Sequence, residues 1–387
     1  MTHPRRPCRP ALRRSPRLPT LILLAWVVCA CTGCTSQDEP AGPTGPGGPP
    51  EEPPGAGDRI LALDVNEAAG VGYADAMQAA LDLGVQDVKQ SYDWDTTVAG
   101  FDGSDWPAVA NAFFAQVDCR VSLVLRPVDT TGPTYPAGVP TTPLDHADAL
   151  TAFGALIDSL WVRLPDLRAG DQIGAILVGN EVDGYLGTDP GLWAQYGRFL
   201  AAARARILAR DWGARPPLVS CTIMSGGARD PDVRALYVQH VLPHCDQVAI
   251  NYYPLDTDFT MRPPGDVTAD LTRLAGWFPD HTIRLQECGY PSGSGAGSSE
   301  ADQAAFIDAV FAAWDQLATR IVHIDFTWQH DVSDATADAW VSEYGMAGHL
   351  HAAAFRSYLR TLGLRHHDGS AKPAWERLVA AAAARGW

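Results

Sequence analysis

Ile173-Gly-Ala-Ile-Leu-Val-Gly-Asn180-Glu181 is an apolar run that ends on an amide and a carboxylate. It reads as a buried strand whose last residues leave the core. Thr282-Ile-Arg-Leu-Gln-Glu287-Cys-Gly-Tyr-Pro repeats the pattern: a short apolar run, a glutamate, then a Gly-containing loop. Working outward, six further runs match these two. They are Arg59–Asp64, Val85–Tyr92, Arg120–Arg126, Leu218–Met224, Gln247–Tyr253 and Ile321–Trp328. Most are continuously apolar rather than alternating, as expected of parallel strands buried on both faces. Helical patterns separate them. Asp105 stands before Pro107 as an N-cap signal, and Leu192–Arg210 carries a long Ala/Arg/Leu pattern.

Eight strands alternating with helices predict an α/β fold, a (β/α)8 TIM barrel spanning residues 58–387. An open doubly wound sheet would place a Gly-rich turn after its first strand. The turn here, Asp64-Val-Asn-Glu-Ala-Ala-Gly70, has no such fingerprint. In a TIM barrel, chemistry sits at the carboxyl ends of the strands. Asn180, Glu181, Tyr252, Tyr253, Glu287 and Trp328 all fall there. A glutamate inside an apolar run is costly unless paired or used.

The N-terminus reads as a targeting segment over residues 1–30. Six arginines between Arg5 and Arg17 precede Leu21-Ile-Leu-Leu-Ala-Trp-Val-Val28, which is too short to span a membrane. Val28-Cys29-Ala30-Cys31 and Cys31-Thr32-Gly33-Cys34 both resemble a bacterial lipobox, so Cys31 or Cys34 is the expected lipidated residue. Residues 31–57 are rich in Pro, Gly and Glu and read as an extended tether. The chain is expected to be exported, touching a membrane only through this anchor. The net charge of −16 argues against nucleic acid as a partner. Cys119, Cys221, Cys245 and Cys288 remain beyond the targeting region. They allow three full pairings, among which sequence does not choose. Their spacing is not that of a zinc site, and no cofactor is expected. Oligomeric state is not legible.

The two glutamate segments together resemble clan A of the glycoside hydrolases, retaining (β/α)8 enzymes with the acid/base after strand 4 and the nucleophile after strand 7. Val178-Gly-Asn-Glu181 is similar to the corresponding segment of the endo-β-galactanases of that clan, and Glu287-Cys-Gly-Tyr-Pro to the nucleophile segment. The resemblance implies a polysaccharide or oligosaccharide substrate. It makes Glu181 the acid/base, Glu287 the nucleophile, and Asn180 a ligand of the sugar 2-hydroxyl. Tyr252 or Tyr253 would donate to the nucleophile, and Trp328 would form an apolar floor under the ring. Retaining glycosidases hold their two carboxyl groups about 5–5.5 Å apart. Many clan members support the nucleophile with an arginine near the end of strand 2. This chain has Lys89-Gln-Ser-Tyr92 there, which leaves Arg126 or Arg284 to stand in. Trp94, Trp106 and Trp193 are candidates to line a longer groove.

Two other readings remain open. A barrel that binds glycan without turnover would need aromatic contacts but not both glutamates. A metal-dependent hydrolase would draw on His323, Asp325, His330 and Asp331.

Overall fold

The computed structural model describes residues 53–99 and 105–387. The targeting segment, Cys31, Cys34 and all but the last residues of the tether lie outside the described residues. Those last residues touch the barrel: the Arg59 guanidinium donates to the carbonyls of Pro54 and Gly55, and the Ala56 amide donates to the Arg385 carbonyl.

Eight strand positions form the barrel: β1 (Ile60–Leu63), β2 (Asp87–Asp93), β3 (Arg120–Asp129), β4 (Ile173–Asn180), β5, β6 (Val248–Tyr252), β7 (Ile283–Cys288) and β8 (Ile321–Phe326). β5 comes in two pieces, Leu218–Ser220 and Thr222–Met224, interrupted at Cys221. Its first piece pairs with β4 and its second with β6. Since the two pieces are consecutive, the ring closes there. β1 pairs with both β2 and β8, and each neighbouring pair around the ring is parallel. The barrel expected from the pattern of apolar runs is therefore the fold.

The helices between strands begin where the side chains dictate. Asp105 accepts the Ala108 amide with Pro107 in the first turn, and Asp189 accepts the Gly191 and Leu192 amides ahead of helix Pro190–Leu208. Their apolar faces and the outward faces of the strands make the main core. Trp94 and Trp193, expected as possible groove residues, belong to it. Trp94 packs on Tyr135 and Phe153, and the Trp193 indole donates to the Gly187 carbonyl. Trp106 is half exposed on helix Trp106–Phe114.

The inside of the ring is divided. One side is apolar, with Val124, Ala175, Leu177 and Ala249 in contact. The other side is charged. Ser122 donates to Asp87 at 2.9 Å, Arg284 donates to Ser122 and to Gln286 at 2.5 Å each, and Arg284 and His323 both lie 3.6 Å from Asp87. Arg284, a candidate partner for Glu287, is thus committed below the mouth. It lies three residues before Glu287 on β7, toward the amino end of the barrel.

After β8 the chain forms two helices, Asp334–Glu343 and Ala352–Arg360. The first is capped by Ser333, whose hydroxyl accepts the Thr336 amide. All four described cysteines are free thiols.

Candidate functional site at the carboxyl end of the barrel

An extended strand sends successive side chains to opposite faces, so Asn180 and Glu181 cannot both reach the mouth from a regular β4. The backbone solves this with two left-handed residues. Gly179 has φ +86°, and Glu181 has φ 45° and ψ 42°. Gly179 is required twice over, because a Cβ there would lie 2.1 Å from the Tyr196 hydroxyl oxygen and 2.5 Å from a Val182 methyl. The resulting turn brings amide and carboxylate to one place. Asn251 Nδ2 donates to Asn180 Oδ1 at 3.2 Å and to Glu181 Oε1 at 3.1 Å. The Thr130 hydroxyl, just beyond β3, donates to Glu181 Oε2 at 3.1 Å. Asn180 donates in turn to Asp129 at 3.0 Å. Asp129 is steadied by Arg126, which also pairs with Asp93 at 2.7 Å. Arg126 therefore serves the Asn180 side of the site.

On β7 a bulge does the equivalent work. Leu285 is level with Ile250 on β6, but Glu287 is level with Asn251, so β7 carries one extra residue at Gln286. Bulges beside functional sites re-aim side chains in this way. Glu287 Oε1 accepts from Lys89 Nζ at 2.8 Å, and Oε2 accepts from the Tyr253 hydroxyl at 2.9 Å. Lys89 also pairs with Asp64 at 2.9 Å. Of the two tyrosines left open, Tyr253 is the one on the glutamate. Tyr252 points elsewhere, with its hydroxyl donating to Asp270 at 3.2 Å and its ring stacked on Phe306.

Glu181 is 1% exposed and Glu287 3% exposed. Burial, then the charge of Glu287, pushes Glu181 well above the usual carboxylate range, against the pull of the Asn251 amide. Burial also raises Glu287, but the Lys89 ammonium and the Tyr253 hydroxyl pull it back. Glu287 is therefore the first of the two to ionise. The arrangement can hold one protonated and one ionised carboxyl side by side, which is the electrostatic requirement for acid/base and nucleophilic work on one bond.

Trp328 follows the end of β8, next to a cis Thr327–Trp328 peptide, and is buried with its indole 5.3 Å from that of Trp340. The four residues considered for a metal do not converge. His323 lies inside the barrel by Asp87, His330 Nδ1 meets the Asn66 carbonyl at 2.8 Å, and Asp331 pairs with Lys372 at 2.7 Å. Among the described residues no group of three or more His, Cys, Asp or Glu is placed to hold a metal ion. Asn66, in the loop after β1, staples that loop to His330 with 2.8 and 2.9 Å bonds.

Lys89, Asn251, Thr130 and Asp64 are the site residues that sequence reading missed. Lys89 carried a usable signal. It is a cation within a strand, costly unless paired, which is the argument already applied to Glu287. The family resemblance points to an arginine near the end of that strand, and this chain has the lysine instead. Asn251 and Thr130 carry no comparable signal.

A barrel with paired carboxylates after β4 and β7 defines a class, and the comparisons with solved structures fall in it. The chain is structurally similar, at low sequence identity, to clan A TIM-barrel glycoside hydrolases. A GH5_18 protein from Streptomyces cattleya, solved with Manβ1-4GlcNAc, superposes with TM-score 0.60 at 18% identity, covering 85% of this chain and 81% of that one. A fungal β-1,4-galactanase superposes at 0.58 with 13% identity, covering 83% of this chain and 99% of the other. A family 39 glycoside hydrolase from Bacteroides cellulosilyticus WH2 superposes at 0.57 with 13% identity, over 84% and 64%. No protein-family model matches the sequence, and no curated protein does.

Proposed function

We propose that the protein is a retaining glycoside hydrolase that cleaves a β-linked glycan by double displacement. The observation that carries this reading is the unequal support of two buried glutamates. Glu181 sits between an amide and a hydroxyl with its proton favoured, and Glu287 sits on a lysine and a tyrosine hydroxyl. Glu181 protonates the leaving oxygen as Glu287 attacks the anomeric carbon. Water, deprotonated by Glu181, then releases the sugar from Glu287. In this reading Asn180, held by Asp129 and Asn251, meets a sugar hydroxyl, and Trp328 borders the ring. The β-linked disaccharide in the Streptomyces cattleya structure supports a β-glycan as substrate class. Export and anchoring through Cys31 or Cys34 belong to the same proposal, on the sequence signals alone.

The test is product release from β-galactans, β-glucans, β-mannans and xylans by wild type and by Glu287→Ala. Wild type is expected to release sugar whose first-formed anomer is β, seen by NMR. The variant is expected to fold normally and lose activity by at least 10⁴-fold, an order-of-magnitude expectation for a lost nucleophile. A folded Glu287→Ala protein with normal turnover, or a first-formed α anomer, would overturn the mechanism. Glycan binding by wild type with no product from any substrate would favour a binding protein built on the same barrel.

A further inference from the structure

We infer that the segment after β8, from Asp334 to Arg360, restricts this site to the ends of glycan chains. It crosses the mouth above Glu181 and Glu287 and leaves no path for the interior of a polysaccharide. The inference rests on the glycosidase reading and adds the mode of attack to it.

The segment is fastened on one side of the mouth. Trp340 packs on Trp328 at 5.3 Å, Phe355 on Phe259 of the loop after β6 at 4.9 Å, and Tyr358 meets Tyr253 edge-on at 5.6 Å. Two glycines of the loop after β7 make room for it. A Cβ on Gly293 would lie 2.4 Å from Ser357 Oγ, and one on Gly295 would lie 2.8 Å from Ser357 Cβ. The two helices are also tied to each other, since Arg356 pairs with both Asp334 and Asp338 and Arg360 with Asp334. From this side the chain reaches across. β8 and β4 lie diametrically opposite in the ring. Yet Tyr344, between the two helices, stands among charges on the far side: burial, then Asp129, holds its hydroxyl proton on, with Arg126 and Glu181 also acting on it. Tyr358, buried in the second helix, feels Glu181 and Glu287 alike.

A polysaccharide cut in mid-chain must run past the two carboxylates with units on both sides. Here both are buried, the Trp328 indole is covered by Trp340, and the segment is anchored at three points along one wall. A terminal sugar needs only one way in.

The experiment uses wild type, Glu287→Gln and Tyr344→Ala. Wild type is given each polymer and a reducing-end-labelled β-linked hexasaccharide. Release of one small sugar at a time, with polymer viscosity unchanged while reducing sugar accumulates, is expected. An early drop in viscosity, or internal fragments of the hexasaccharide, would overturn the inference while leaving the glycosidase reading intact. Glu287→Gln gives a readout independent of turnover. Its affinity for oligosaccharides should level off after the first two or three units, whereas affinity that climbs steadily to six units contradicts an end-binding site. No binding and no cleavage of any glycan would overturn both readings. Tyr344→Ala should raise the ratio of internal to terminal cuts at least tenfold, and an unchanged ratio in the folded variant would remove Tyr344 as the barrier.

Discussion

Lys89 is the residue on which the electrostatics of the site turn. It is one buried ammonium shared between two carboxylates, Glu287 at 2.8 Å and Asp64 at 2.9 Å. An opposite charge at this range lowers a carboxyl pKa by about 1–3 units. Removing it therefore raises Glu287 further, and the acidic limb of kcat/KM should move to higher pH by about 1–2 units in Lys89→Met. Lys89→Arg should move it much less. Asp64 acts with the opposite sign, since its charge raises Glu287 and competes for the same ammonium. Asp64→Asn should shift the acidic limb to lower pH. Both shifts are read from the pH profile of kcat/KM, and shifts of the same sign in the two variants would refute the shared-lysine account. A merely structural lysine would lower activity at every pH without moving the limb.

At the scale of the element, strand ends matter more than strands. β4 and β7 each depart from regular geometry at the last moment, one through left-handed residues at Gly179 and Glu181, the other through a bulge at Gln286. Gly179→Ala tests the first. Its methyl would meet the Tyr196 hydroxyl and Val182 while holding a positive φ. A loss of about 2–4 kcal/mol in urea unfolding is expected from overpacking together with backbone strain. Activity should fall further than stability explains, because Glu181 and Asn180 depend on this turn. An alanine variant with wild-type stability and turnover would show that β4 has another way to end. The same argument explains what was legible. Val178-Gly-Asn-Glu181 contains the glycine that the turn demands, so the motif and the geometry agree. The β7 bulge leaves no mark on Leu285-Gln-Glu287 that distinguishes it from a plain strand end.

For the whole molecule, the two ends of the folded domain pack together against the helix Glu300–Gln316. The Arg59 guanidinium lies beside the indoles of Trp314 and Trp387, 5.1 and 5.2 Å from their centroids, and pairs with Asp315, which also holds Arg385. Trp387 stacks on Trp314 at 5.0 Å, and its backbone lies against Gly84. Trp387→Ala is expected to cost about 2–3 kcal/mol, somewhat less than a fully buried tryptophan, because the ring is partly exposed. The loss should appear in equilibrium unfolding with kcat and KM unchanged, since the site is at the other end of the barrel. A change in kcat at full folding would mean that the two ends are coupled.

Sequence by itself determined the eight strands, their order and the pair of glutamates, because continuous apolar runs and punctuating turns are local features with a local physical cause. It put Asn180 and Glu181 side by side at the end of the fourth strand, while the left-handed turn that aims both came only with the structure. It did not decide which tyrosine faces Glu287, because consecutive residues at a strand end differ only in which way the backbone turns. Nor did it decide that Lys89, rather than Arg126 or Arg284, meets that glutamate. The three are separated by which face of which strand points inward and how far each side chain reaches, and those are set only when the ring closes. The cover after β8 belongs to the same class. Its helices are short, and their place comes from packing against Trp328, Phe259 and Tyr253, contacts that exist only in the folded barrel.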